Sequence, residues 1–270
     1  MFRIRFFTIS ALFCFFLVGF AQKTIQITSW NLCNFGRSKS DLEIAFIAKT
    51  IQKTDILAIQ EVSSSYYGAQ AVAKLVDELN RTGSKWAYCI SEPTVGNGSE
   101  RFAYIWKTSK ARLIGKAWLE KALDTLIDRE PFLARFQMKS GEKMLLACLH
   151  AVPKAKEPWR ECQYLYKIDS AYKADNLMIM GDFNLSESNK AFDSLKERKI
   201  VPAFRHLKTS IKMKIKNGEK FANEFDNLFI DRDLIKVKNA GRIDFTDRLQ
   251  NLKEARKISD HVPVFAEIEF

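Results

Sequence analysis

"NLMIMGDFNLS", residues 176–186, joins an apolar run to an abruptly polar end. Leu177, Met178, Ile179 and Met180 are four consecutive apolar residues bounded by turn formers, which predicts a strand buried on both faces of its sheet. The run stops at Gly181-Asp182-Phe183-Asn184. A core strand that ends in a carboxylate and a carboxamide has two readings. Either Gly, Asp and Asn simply close the strand as a turn, or the strand end is a site that holds a metal. The stretch alone leaves both open.

The same pattern recurs along the chain. One apolar segment ends at Trp30-Asn31, "DILAIQEV" delivers Gln60-Glu61, and "MLLACLH" ends at His150. "EFDNLFID" places Asp226 in front of an apolar run, and "ISDHVPVFAEIEF" places Asp260-His261 before the final strand. With Asp182 and Asn184, six elements present polar side chains at strand ends, where one mouth of a sheet system could collect them. Carboxylate and carboxamide oxygens suit a hard divalent cation such as magnesium, which keeps waters and phosphate oxygens in its shell. The chain has no HExxH and no Cys/His spacing of the kind that binds zinc. A histidine held by a carboxylate serves as general base or acid, and two of the three histidines fall in these motifs. The third, His206, lies in a basic segment and reads as a surface residue.

Strands and helices alternate in the first part. "KTIQITSWNL" and "DILAIQEV" read as strands, "SDLEIAFIAKTIQ" as an amphipathic helix capped by Ser40, and "YYGAQAVAKLVDELNRT" as a second helix. Strands are expected at 85–91, 101–107, 111–119, 132–138 and 143–150, and a continuous helix in "EPWRECQYLYKIDSAYKA". This order implies an α/β chain with a mixed sheet system and outer helices. No Pro/Gly/Ser-rich linker and no repeat interrupts it, so residues 22–270 are expected to form one domain, and an apolar fraction of 47% is ample for its core.

Residues 1–21 are read apart from that domain. Arg3 and Arg5 precede an apolar stretch from Phe6 to Phe20, and Gly19 and Ala21 supply small residues around a cleavage site before Gln22, the pattern of a secretory signal. An uncleaved anchor would want about 20 apolar residues, and the stretch has about 15. Cleavage removes two of 43 basic residues and none of 32 acidic ones, leaving a net charge of +9. That balance favours polyanionic partners, either nucleic acid or an anionic surface, without choosing between them. Cys33, Cys89, Cys148 and Cys162 remain, and Cys33 and Cys148 read as small buried thiols. "RHLKTSIKMKIKNGEKFAN", residues 205–223, reads as a basic hairpin turning at Asn217-Gly218. It is either a phosphate-tracking arm or a solvated edge protected by lysine.

Eight segments, "SWNLCNFG", "ILAIQEV", "ERFAYIWK", "DREPFLARF", "LLACLHAVP", "LMIMGDFN", "FDNLFI" and "ISDHVPV", resemble in order the endonuclease/exonuclease/phosphatase superfamily, and within it the deoxyribonuclease I group. The resemblance spans nearly all of the mature chain. It implies a four-layer α/β sandwich, two mixed sheets packed face to face with helices outside, and a site at one edge. By motif, Asn31 and Glu61 would hold a divalent metal, magnesium with manganese or calcium as alternatives, and Asp260 would contribute nearby. Asp182 and Asn184 would position the attacking water and the scissile phosphate. His150 and His261 would flank that phosphate, oriented by Glu100 and Asp226 respectively, and Arg129 would contact a phosphate oxygen.

The activity so implied is a secreted or periplasmic, monomeric phosphodiesterase acting on nucleic acid, above all double-stranded DNA, with no stable membrane association after signal removal. The chain departs from that group in having Ser63 where a groove-reading arginine stands and Gly98 near the place of a tyrosine, and it lacks the group's small disulfide loop and the cysteine after GDFN. These departures put minor-groove contacts and calcium support in doubt. Competing readings are a phosphoesterase of the same scaffold acting on a lipid or phosphoinositide head group, an abasic-site endonuclease, and a catalytically silent binding module. Export disfavours the abasic-site reading, and the full set of acids and histidines disfavours the silent one.

Overall fold

The computed structural model describes residues 24–96, 98–173 and 176–270, so the signal segment read at 1–21 lies outside the described residues. In chain order the first strands are β1 (Thr24–Phe35), β2 (Ile56–Val62), β3 (Trp86–Ile90), β4 (Arg101–Lys107), β5 (Ala111–Leu119), β6 (Phe132–Met138) and β7 (Lys143–His150). There follow β8 (Asn176–Asp182), β9 (Ile200–Pro202), β10 (Ile211–Lys216), β11 (Glu219–Phe221), β12 (Asp226–Asp231), β13 (Lys236–Arg242) and β14 (Val264–Glu269). The helices are α1 (Asp41–Ile51), α2 (Tyr66–Asn80), α3 (Trp159–Cys162), α4 (Tyr166–Ala171), α5 (Asp193–Glu197) and α6 (Leu252–Ile258). Two six-stranded mixed sheets result, one ordered β13-β14-β1-β2-β4-β3 and the other β5-β6-β7-β8-β12-β9, with β10 and β11 as a separate pair.

The pleat sorts each strand into two destinations. In β8, Met178 and Met180 face the gap between the sheets, whereas Leu177 and Ile179 face outward toward α3 to α5. In β1, Ile25 and Ile27 take the gap while Trp30 and Leu32 pack under α1, α2 and α6. Apolar residues on both faces are what a sheet covered on both sides requires, and they explain why these strands read as continuous apolar runs. The order helix, sheet, sheet, helix is the four-layer α/β sandwich expected from the resemblance. Among the described residues no helix is long and apolar enough to cross a membrane.

Ser40 caps α1, as the sequence predicts, and Glu43 completes a full capping box with it. The single helix expected over "EPWRECQYLYKIDSAYKA" is instead broken into α3 and α4. Glu161 is turned inward, where its carboxylate accepts the backbone N–H groups of Asp128 (2.7 Å) and Val152 (2.8 Å). The chain after it tightens into three-residue bonds from Tyr164, Leu165, Lys167 and Ile168. The basic segment does form a hairpin, with Asn217 and Gly218 both at positive φ (54° and 75°), as a two-residue turn between twisted strands requires. The four cysteines are free, and Cys148 and Cys162 are buried. Cys33 is only half-buried, contrary to the buried reading, because it sits at φ 44° in a bulge near the end of β1.

Candidate active site

Alternation that places Met178 and Met180 in the gap also places Asp182 there, at the open edge. The same parity carries Glu100 ahead of Phe102 and Tyr104, His150 after Leu146 and Cys148, and Asp226 ahead of Leu228 and Ile230. β7 and β8 run parallel and end together, while β12 runs antiparallel to β8 and begins where β8 ends. His150, Asp182 and Asp226 are therefore direct cross-strand partners in one row. Strand direction and pleat together bring residues from opposite halves of the sequence to one mouth.

Two histidine–carboxylate pairs converge on Asp182. His150 Nδ1 lies 2.9 Å from Glu100 Oε2, and His261 Nδ1 lies 2.7 Å from Asp226 Oδ2. Each imidazole turns its Nε2 toward the same atom, Asp182 Oδ2, at 3.6 Å in both cases. Asn31 Nδ2 donates to that oxygen at 3.1 Å and to Glu61 Oε1 at 2.9 Å, linking the two carboxylates. The other Asp182 oxygen accepts the N–H of Asn184 at 2.9 Å.

Further contacts hold these groups in place. Arg129 is buried and donates to Glu100 Oε2 (3.2 Å) and to the carbonyls of His150 (2.9 Å) and Ala151 (2.6 Å), tying β7 to Glu100. Ser259 Oγ donates to the Asn31 carbonyl and accepts the N–H of His261, and Trp30 Nε1 donates to the His261 carbonyl. Thr209 Oγ1 donates to Asp226 Oδ2 at 2.5 Å.

The backbone is strained where the side chains are delivered. Glu61 and Asn184 adopt positive φ (59° and 49°), a costly state for non-glycine residues that clusters at functional sites. Gly181 has φ 150°, and a Cβ there would stand 1.8 Å from the Leu149 carbonyl oxygen, so the close approach of β7 and β8 beneath Asp182 requires glycine.

Charge is concentrated and compensated. Burial disfavours the charged form of His261, yet the Asp226 and Asp182 carboxylates outweigh it and push His261 up to about 10. His150 is likewise raised, burial being outweighed by Glu100 and Asp182. Burial raises Asp182 above the ordinary carboxylate range against the pull of the two imidazoles. Cys33 is pushed up to about 11 by burial and by the neighbouring Asp260 and Glu61, so it remains a thiol.

A divalent cation fits this donor set. Glu61, Asp182 and Asp260 offer hard carboxylate oxygens at the cleft, and the nearby thiol is protonated. Asp182, Asp226 and His261 also present ligand atoms within 4.8 Å of one another. Asp260 is 33% exposed and paired with Arg256 at 3.3 Å, while Asp182 is buried.

The cleft encloses about 740 Å³. Eight of the ten residues singled out in the sequence line it: Glu61, Glu100, Arg129, His150, Asp182, Asn184, Asp260 and His261. Asn31 and Asp226 are buried and reach the site through Asp182 and His261. His206 stands apart and exposed. Sequence reasoning missed Thr209, Ser259 and Phe225, whose ring stacks 6.3 Å from that of His261. Ser259, two residues before His261, was legible as a serine turn. Thr209 left no local signal, because its partner is 17 residues away.

Residues 28–261 match the model of the endonuclease/exonuclease/phosphatase family. Deoxyribonuclease-1-like 1 of Sus scrofa is 28% identical over 235 residues, 82% of this chain and 73% of that protein. A deoxyribonuclease of Thioalkalivibrio sp. (strain K90mix) is 24% identical over 275 residues, 92% of this chain and 72% of that one. Among solved structures, an endonuclease/exonuclease/phosphatase family protein from Bacteroides thetaiotaomicron superposes with a TM-score of 0.66 at 16% identity, covering 92% of this chain and 98% of that one. A mannosyl-6-phosphatase from Bacteroides thetaiotaomicron VPI-5482 gives 0.65 at 17% identity, covering 91% and 100%. A matched span that takes in the strand-end motifs from β1 to His261, on a sandwich shared with these structures, makes the chain a member of the endonuclease/exonuclease/phosphatase family.

Proposed function

We propose that this chain is an exported, divalent-metal-dependent phosphodiesterase that cleaves DNA internally with little sequence preference. The observation that carries the reading is the equidistant placement of Asp182 Oδ2, 3.6 Å from the Nε2 atoms of two carboxylate-backed histidines. Three groups that can handle protons and charge thus meet at one point, from the ends of β7 and β8 and from the segment ahead of β14. A phosphate needs this set, since water must lose a proton while charge accumulates on the phosphoryl oxygens. His261, whose proton is held to about pH 10, takes the charged role toward those oxygens and the leaving group. His150, held by Glu100, takes the proton of a water oriented by Asp182 and Asn184. Glu61 and Asp260, with Asn31 and Asp182 beside them, would hold the cation. When bound, that cation supplies positive charge to the phosphoryl group. Arg129 acts on substrate through Glu100 and His150, because its hydrogen bonds go to Glu100 and to backbone carbonyls.

A diester within a polymer suits the cleft better than a small sugar phosphate. Arg37 stands on one rim. Beyond Asn184 and Phe225 the depression continues into a second one of about 490 Å³ with Lys154 and Trp159, which leaves room for chain on both sides of the scissile bond. The deoxyribonuclease relatives support DNA as that polymer, and the N-terminal signal pattern supports export. Supercoiled plasmid, single-stranded DNA, RNA, sphingomyelin and mannose 6-phosphate, each offered with magnesium, manganese or calcium, test the proposal. Plasmid nicking as the fastest reaction is the expected outcome. Turnover of only the phosphomonoester or the lipid would refute it.

A further inference from the structure

We propose that the β10–β11 hairpin is a nucleic-acid arm built onto the catalytic groups, gripping the substrate backbone with Lys214 and Lys216 and resting Met213 and Ile215 against sugar and groove wall. The proposal rests on the phosphodiesterase reading above and adds a substrate-holding element outside the cleft.

The hairpin belongs to neither large sheet. Its root is nevertheless fixed to the active-site residues. Thr209 donates to Asp226, Ser210 bridges to His261, and the N–H of Ile211 donates to the carbonyl of Asp260 at 2.7 Å. Ile211 and Phe221 face each other in register, both buried, and anchor the base in the core under α6. Whatever touches the arm is therefore held beside His261.

Past that anchor the character of β10 changes. Lysines alternate with apolar residues in "IKMKIK", and Met213 and Ile215 are 73% and 60% exposed. Lys208 and Lys212 are engaged by Glu219, and Lys220 by Asp244. Among the described residues, Lys214 and Lys216 enter no ion pair. An edge protected merely against aggregation needs its lysines, not two exposed apolar side chains between them. Phosphate-binding lysines interleaved with apolar side chains match a polynucleotide, which offers phosphates along its edge and sugar faces and groove walls between them. The tight Asn217-Gly218 turn holds the ribbon in shape before binding, so little ordering cost falls on association. A bilayer is the poorer occupant. Two apolar side chains and a polar turn at the tip offer little area to insert, and the hairpin carries no Trp or Tyr.

The test is binding of a fluorescein-labelled 30-base-pair duplex to the mature chain in chelator, where cleavage is stopped, between 50 and 300 mM salt. Lys214→Ala/Lys216→Ala is expected to weaken binding about tenfold at the lowest salt and to flatten the log–log salt slope by about 2, one counterion per lost phosphate contact. Met213→Ser/Ile215→Ser is expected to weaken binding about fivefold with the slope unaltered, the mark of an uncharged contact. In both variants the ratio of plasmid nicking to bis(p-nitrophenyl) phosphate hydrolysis falls, and thermal melts report that the fold is intact. Duplex affinity within twofold of wild type for both variants overturns the arm. So does loss of binding to phosphatidylcholine vesicles containing 30% phosphatidylglycerol with duplex binding unaltered, which assigns the hairpin to membranes. Arm-dependent duplex binding by a chain that hydrolyses no diester keeps the arm and overturns the catalytic reading instead.

Discussion

Replacing Glu100 by Gln tests how His150 is made useful. The Glu100 carboxylate is buried and accepts from His150 Nδ1 (2.9 Å), Arg129 (3.2 Å) and the N–H of Glu61 (3.1 Å). Glutamine preserves the volume but presents one acceptor instead of two, carries no charge and aims an N–H at existing donors. Arg129 keeps its two backbone carbonyls, so its charge is not stranded entirely. Loss of one to two charge-assisted hydrogen bonds at about 1.5–3 kcal/mol each puts the stability cost near 3 kcal/mol, or a Tm lower by roughly 6–12 °C for a domain of this size. The catalytic cost is separate. Without Glu100, His150 loses the carboxylate that fixes its ring and raises its proton affinity, which predicts a fall in kcat/KM of about 10²–10³. Plasmid nicking at a temperature well below the variant's melting point, normalised to folded protein, separates the two effects. A lowered Tm with an unaltered rate would refute the link from Glu100 through His150 to chemistry.

Two further outcomes follow from the geometry. Because His261 is held protonated to about 10 when folded, against about 6.5 in the unfolded chain, its contribution to stability is complete below about pH 6.5 and drains away as pH rises toward 10. In chelator, the Tm of wild type should therefore fall more steeply between pH 6.5 and 10 than that of Asp226→Asn, and parallel curves would contradict the assignment. Gly181→Ala places a methyl 1.8 Å from the Leu149 carbonyl oxygen at an unfavourable φ, which should cost about 4 kcal/mol or more, measured by urea unfolding. A loss below about 1 kcal/mol would mean that β7 and β8 separate easily.

The parts legible in the sequence were those governed by local periodicity. Leu177 to Met180 announced a doubly covered strand, Ser40 a capped helix, and Asn217-Gly218 a hairpin. Polar residues at the ends of such strands pointed to one mouth, since direction and pleat send His150, Asp182 and Asp226 into the gap between the sheets, whereas Glu100 was reached only through the resemblance. What the pattern could not show depends on contacts across the fold. The break between α3 and α4 comes from Glu161 turning to loops that precede β6 and follow β7, and Thr209 matters only because the chain returns to bring it against Asp226. The resemblance gave Arg129 a phosphate contact; the structure puts it in the lining of the cleft and adds hydrogen bonds to Glu100 and to the carbonyls of His150 and Ala151, which no spacing encodes.

The most direct measurement is nicking of supercoiled plasmid by residues 22–270 with magnesium and with chelator, alongside His150→Ala and Asp182→Ala. The account predicts nicking that needs the metal and falls by two to four decades in each variant, since each removes a group from the point where the two histidines and the carboxylate meet. Nicking that survives in either variant, with its metal dependence intact, would contradict it.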